Sequence, residues 1–151
     1  VNEKLGFVGE VESVDPGPLV RVLLAGALPV VAPVGLLSIE GKPQAQLLNI
    51  NADAAAGSIA TAIRAGWLAF VSNVPGVLGA DGAVQRTLTA DEVGQLRADG
   101  VIEGGMIPKV EACLQAAAAG CRAVILDGRA EHTLTSLIDG ETIGTVVGGR
   151  N

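Results

Sequence analysis

Short apolar runs take turns with helical segments along nearly all of this chain, and glycine closes most of the helices in turn; that rhythm dictates an α/β architecture. Thr89 and Glu92 form a capping box, Leu88 and Val93 a hydrophobic staple, and Gly100 a terminator, so one helix is bounded at both ends. Asn51 caps another that runs to about Ala65, where Gly66 ends it ahead of a strand from Trp67 to Ser72. After Gly104-Gly105 a third helix carries Met106, Val110, Leu114 and Ala118 on one core-packing face, with Lys109 beside that stripe. Ala123 to Leu126 is expected as a buried strand, Glu131 to Ile138 as a helix and Gly144 to Val147 as a last strand. Nearer the start, Phe7 to Val14 alternates apolar and acidic residues until Pro16-Gly17-Pro18, and Leu19 to Ala25 is helical as far as Gly26. Leu28 to Val34 is a β-branched run typical of a buried parallel strand, and Glu40-Gly41-Lys42 and Ala80-Asp81-Gly82 mark tight hairpins. Connections this short predict a three-layer α/β/α sandwich, with a mostly parallel sheet and helices on both faces.

Composition removes several classes of function. A formal net charge of −6 argues against a duplex-binding surface, and aromatics at 2% leave little to stack on bases, so no nucleic-acid partner is expected. The greasiest stretch, Val22 to Leu37, is broken by Gly26, Pro29, Pro33 and Gly35, and no membrane span is expected. Val1 to Gly6 lacks a basic region followed by an apolar one, and Cys113 and Cys121 fit buried thiols of a reduced, cytoplasmic protein. No G-x-G-x-x-G follows a strand. Gly35 to Lys42 misses the Walker A spacing, with Pro43 where Ser or Thr must hold magnesium. The lone His132 builds no zinc site, and Ser72 has no base in its own motif, so no protein-held metal is expected.

Two segments point to anion chemistry. Asn49-Ile50-Asn51-Ala52-Asp53 and Gly104-Gly105-Met106-Ile107-Pro108-Lys109 both place polar or charged groups where a helix begins, and helix beginnings gather anions. A lysine in a first turn opposes the helix dipole at a cost of about 0.3–1 kcal/mol unless something negative lies there. Seen alone, Asp53 could equally complement its own helix dipole, and Asn49 could be a strand-end residue bonding backbone.

Seven segments, in order, resemble the later part of the acetylglutamate kinases, in the amino-acid kinase superfamily. They are Leu5 to Val11, Pro29 to Gly35, Asn49 to Asp53, Ser72 to Leu78, Gly104 to Val110, Asp127-Gly128-Arg129 with His132, and Gly144-Thr145. The resemblance implies the amino-acid kinase (carbamate kinase-like) fold. It also implies transfer of the γ-phosphoryl group of ATP to the side-chain carboxylate of N-acetyl-L-glutamate, for arginine biosynthesis. By the same matching Lys109 stabilises the transition state, Asp53 positions the catalytic lysines and Asn49 holds the acetylglutamate. Asn73, Val74, Pro75, Gly76, Val77 and Leu78, with Val101, Ile102 and Glu103, would line the ATP pocket, and Mg2+ would bridge the phosphates. Residues 1–52 would end the substrate-binding, N-terminal lobe and residues 53–151 form the ATP-binding, C-terminal lobe.

The sequence departs from that pattern in two places. Asn73 stands where the family usually has Asp. The family's opening glycine-rich loop with a second catalytic lysine, its triple-glycine loop and its substrate-binding arginine have no counterpart here. The fragment is therefore not expected to catalyse efficiently alone, and homo-oligomerisation or pairing with a missing N-terminal half is expected. The alternatives are a noncatalytic nucleotide-binding module, another amino-acid kinase acting on a different carboxylate, and a structural subunit. Asp127 and Arg129 are expected to tether their own loop.

Overall fold

The computed structural model describes residues 6 to 149. Val1 to Leu5, with Leu5 of the first resembling segment and most of the stretch read for a leader, lie outside the described residues, as do Arg150 and Asn151.

The chain is α/β, and it divides its strands between two sheets. The first is built from β1 (Val8–Gly9), β2 (Val34–Ile39) and β3 (Lys42–Ile50), in the order β1-β3-β2, with helix α1 (Gly17–Leu24) between β1 and β2 in the chain. The β2–β3 hairpin turns through Glu40 at φ 49° and Gly41 at φ 74°. Two positive φ values make the primed turn whose twist matches that of paired strands, so the predicted hairpin is present. β1 runs parallel to β3 and pairs Val8 with Asn49. Period-two alternation then sends Leu48 and Ile50 into the interior and leaves Asn49 exposed.

Helix α2 (Ala52–Ala62) leads to the second sheet. Asn51 caps it as expected, its Oδ1 accepting the N–H groups of Asp53 and Ala54 at 3.0 Å each. The helix stops earlier than Gly66 because Arg64 itself takes the left-handed conformation, at φ 51°, and Ala65 N–H closes back onto Ala60 O at 2.9 Å.

The second sheet contains β4 (Trp67–Ser72), β5 (Thr87–Leu88), β6 (Arg122–Asp127) and β7 (Thr145–Val147), in the order β4-β6-β7-β5. β4 and β6 are parallel from Trp67↔Arg122 to Ser72↔Asp127. Ala123, Val124, Ile125 and Leu126 of β6 are all fully buried, which is why that strand is an unbroken apolar run. Helices α3 (Ala90–Ala98) and α4 (Met106–Ala118) join α2 over one face, with Val93, Val110, Cys113 and Ala116 packing on Phe70, Ala123 and Ile125. On the other face Leu137 of α5 (Thr133–Ile138) packs with Val124 and Leu126. This sheet therefore has the expected three layers, and across both sheets three of the five strand pairs are parallel. The capping box of α3 is complete, with Thr89 N–H donating to Glu92 Oε2 at 2.8 Å and Glu92 N–H to Thr89 Oγ1 at 3.3 Å.

Two expected strands differ. Phe7 to Val14 forms strand only at Val8–Gly9. Leu28 to Val34 is irregular as far as Pro33, and Val34 opens β2, which is antiparallel to β3. Leu28 and Val30 are 85% and 92% exposed, so that run has the composition of a buried strand without neighbours to bury it among the described residues. The last helix begins at Thr133 instead of Glu131, since His132 sits in the left-handed region at φ 61°.

Candidate functional site

The site is assembled from two helix beginnings. β3 ends at Ile50, Asn51 caps α2, and Asp53 follows in its first turn. On the second approach, the N–H groups of Val101 and Ile102 both donate to Leu96 O, at 2.9 and 3.1 Å, and fold the chain back off α3. Gly104 then turns at φ 53°, and Met106 and Ile107 donate to the carbonyls of Glu103 and Gly104 to start α4. Pro108 is tolerated here because first-turn N–H groups have no intrahelical partner to lose. Lys109 comes next.

The Lys109 ammonium donates to both oxygens of the Asp53 carboxylate, at 2.9 and 3.1 Å, and lies 6.0 Å from the centroid of the Phe70 ring. Lys109 and Asp53 are partly buried, with side chains 24% and 17% exposed. One turn on, Gly57 of α2 meets α4 so closely that an added Cβ would sit 2.9 Å from Ala112 Cβ and 3.0 Å from its Cα. Contacts 53–109 and 57–112 advance together, so the two helices run side by side in the same direction and bring their positive ends together. Each end carries roughly half a positive charge; with the ammonium added and the carboxylate subtracted, about one unit of positive charge remains. The negative group expected near Lys109 is thus supplied within the chain by Asp53, yet the local field still favours an anion.

The other nominated residues occupy distinct places. Asn49 is exposed at the end of β3, four residues before Asp53, with its backbone N–H tied to Phe7 O at 2.7 Å. Asn73 and Pro75 are exposed and Val74 half-buried just past β4, and Ser72 Oγ lies 3.5 Å from Asn73 Oδ1. Gly76 and Val77 turn inward, and Leu78 returns to the surface at the start of the predicted Asp81-Gly82 hairpin, where it bridges to Val84. Val77 and Ile102 are only 1% and 2% exposed, so their side chains are core and leave the surface to Asn73, Pro75, Leu78 and Glu103, with Val74 and Val101 half-buried.

Two charged features nearby were only partly visible beforehand. Arg129 grips Asp127 with a fork, Nε to Oδ1 at 2.9 Å and Nη2 to Oδ2 at 2.7 Å, and Gly128 N–H ties that loop to Ser72 O at 2.8 Å. Those bonds from Arg129 hold the Asp127 carboxyl down to about 2, and the expected tether is present. Burial, with the Asp53 charge second and Cys121 third, pushes the Cys113 thiol up to about 12. Phe70 gave no signal in the sequence beyond that of an ordinary apolar strand residue.

A cleft of about 470 Å³ lies elsewhere, lined by Glu10, Val11, Val31, Leu36, Ile50 and Ile59 among others, and touches neither Lys109 nor Asp53. Its walls are the first sheet and the irregular segments around it, so it belongs to a face without cover and not to the charged pair. Among the described residues no group of three or more His, Cys, Asp or Glu side chains is placed to hold a metal ion. No helix among them is long and apolar enough to cross a membrane.

Comparison with known proteins agrees with this architecture. The sequence matches the profile of the amino acid kinase family over residues 2–127. It is 50% identical over 130 residues to acetylglutamate kinase from Gluconobacter oxydans (strain 621H), an alignment covering 85% of this chain and 42% of that protein. Among solved structures it is similar to N-acetylglutamate synthase from Neisseria gonorrhoeae complexed with coenzyme A and L-arginine. That match has a TM-score of 0.80 and 26% identity, over 95% of this chain and 32% of the other. The fold is shared with carbamate kinase from Giardia lamblia bound to AMP-PNP, at a TM-score of 0.67 and 19% identity over 91% of this chain and 45% of that one. The chain spans about half the length of the curated relatives it matches, from 42% to 52% in the examples at each extreme.

Proposed function

This chain belongs to the amino acid kinase family, and on that premise we propose that it is the nucleotide-handling part of a kinase that phosphorylates the side-chain carboxylate of N-acetyl-L-glutamate. The observation that carries the proposal is the Lys109–Asp53 pair between two side-by-side helix beginnings, a positive site suited to a triphosphate tail. In the reaction a carboxylate oxygen of the acceptor forms a bond to the γ-phosphorus as the bond from that phosphorus to the ADP oxygen breaks. No proton need move. Catalysis then rests on alignment and on neutralising charge spread over the transferred oxygens. Lys109 supplies that neutralisation, Asp53 fixes the ammonium from the opposite helix, and Asn49 contacts the acceptor. The surface formed by Asn73, Val74, Pro75 and Leu78, with Val101 and Glu103, takes the nucleotide, while Gly76, Val77 and Ile102 shape it from beneath.

The residues present fit ATP through the residual positive field at the helix beginnings. They offer magnesium no ready-made cage, so the ion arrives on the phosphates and supplies further charge neutralisation there. We assign residues 53–151 to the ATP-binding lobe and residues 1–52 to the end of the acceptor lobe, in keeping with a sheet division between Ile50 and Trp67. The exposed apolar residues of the first part, among them Phe7, Leu24, Leu28, Val30 and Leu36, suit a covering N-terminal α/β half. The enzyme so completed works in the cytoplasm.

A second reading, nucleotide binding without transfer, draws on the carboxylate of Asp53 already engaging Lys109. Trapping with hydroxylamine separates the two. Joined to its N-terminal half, the protein is expected to form hydroxamate only with ATP, Mg2+ and N-acetyl-L-glutamate together. Hydroxamate with aspartate or glutamate instead overturns the acceptor assignment, and ATP binding with no hydroxamate favours the second reading.

A further inference from the structure

Among the described residues, one polar side chain is buried outright: Thr145, the first residue of β7, at 0% exposure. Its hydroxyl accepts the N–H of Val77 at 2.8 Å and donates to the carbonyl of Gln85 at 2.5 Å. Val77 and Gln85 are the two legs of the hairpin that follows β4, already joined by Gln85 N–H to Val77 O at 2.9 Å. A single hydroxyl thus pins both legs to the sheet and leaves neither buried backbone group unpaired.

The neighbouring glycines exist in forms that allow this approach. Gly76 has φ 150°, and an added Cβ would stand 2.5 Å from Thr145 Oγ1 and 2.9 Å from Val84 Cγ1. Gly144 has φ 66°, and a Cβ there would strike the carbonyl of Ile125. The chain therefore passes tightly over β6 on one side of Thr145 and tightly under the hairpin on the other.

We propose that Thr145 is a positioning residue that fixes the base of segment Asn73–Leu78 and so sets the affinity for nucleotide. The inference rests on the assignment of that segment to ATP under the proposed function. Without the hydroxyl, Val77 N–H and Gln85 C=O are buried and unpaired, the base of the hairpin opens, and the binding-competent form becomes a smaller fraction of the population.

Two variants test this in the chain itself, Thr145→Val, which replaces the hydroxyl by a methyl of similar size, and Thr145→Ser, which keeps it. In Thr145→Val, hydrogen exchange at the Val77 amide should quicken and the Kd for MgATP should rise about tenfold, with α2 amides unchanged. In Thr145→Ser both should stay near wild type. Should the valine protein fail to fold, Thr145→Cys, which retains a weak donor and acceptor, is expected to bind more weakly than the serine variant. An unchanged Kd in Thr145→Val, or in Thr145→Cys where that stands in, overturns the inference. A wild-type chain that does not bind MgATP overturns the nucleotide assignment, and the role of Thr145 with it.

Discussion

Asp53 and Lys109 have opposite effects on a bound phosphate, and that difference makes their roles separable by substitution. Lys109→Ala removes the ammonium and should lower phosphoryl transfer by about 10²–10³, the usual effect of losing one electrostatic donor. Asp53→Asn removes the negative charge that competes with phosphate. MgATP should then bind at least as tightly as in wild type while transfer falls, because the ammonium is no longer held; weaker binding in a direct titration would contradict the assignment. Titration offers a check independent of activity. The Asp127 carboxyl, held from 3.8 down to about 2 by Arg129, stabilises the fold above its unfolded value, and that contribution fades as pH falls from about 4 to 2. Melting curves across that range should show a shallower acid limb in Asp127→Asn than in wild type. The Cys113 thiol runs the other way: raised from 9.0 to about 12, it favours the fold below pH 9 and loses that contribution as pH climbs toward 12. Cys113→Ala should flatten that alkaline limb. At this scale the sequence disclosed Asp53 and Lys109, since a cation in a first helical turn is out of place by local rules. It did not disclose Thr145, whose hydrogen bonds span 60 and 68 residues of chain and leave no local trace.

Elements bounded by their own neighbours could be read from the sequence, and those bounded by distant ones could not. The α3 capping box, the Glu40-Gly41 turn and the Asn51 cap all lie within a few residues of the structure they fix. Leu28 to Val34 has strand composition, yet a strand needs partners that composition cannot supply, and the run stays irregular up to Pro33. The end of α2 was placed too late because the left-handed turn falls on Arg64, a residue with no special preference for it, instead of on glycine. Two substitutions act at this level. Thr89→Ala removes one half of the capping box and should cost about 1 kcal/mol in chemical denaturation, with no change in MgATP affinity. Gly57→Leu drives a side chain into Ala112, should cost about 1–3 kcal/mol, and should also weaken MgATP binding by parting the helix beginnings that Asp53 and Lys109 bridge. If the glycine variant loses stability and keeps its affinity, the closeness of α2 and α4 does not serve the site.

Across the whole molecule, apolar exposure is uneven. Phe7, Val20, Leu23, Leu24, Leu28, Val30, Val31 and Leu36 lie in the part that precedes α2, while the second sheet buries its core on both faces. A surface of that kind asks for cover. The isolated chain should therefore bind a hydrophobic dye, and an N-terminal α/β half should displace the dye and raise the melting temperature; no association would contradict the proposed partner. The fold class and the convergence of two anion-gathering helix starts were readable in advance. The division into two sheets was not, because it depends on which strands find neighbours. The central claim, that the paired helix beginnings beside Lys109 receive the phosphates of ATP, is tested most directly by calorimetric titration of the chain with MgATP. The account predicts one site whose affinity drops at least about tenfold in Lys109→Ala and is untouched in Lys42→Ala, a lysine on the exposed start of β3. Equal affinity in wild type and Lys109→Ala, or no binding by either, would contradict it.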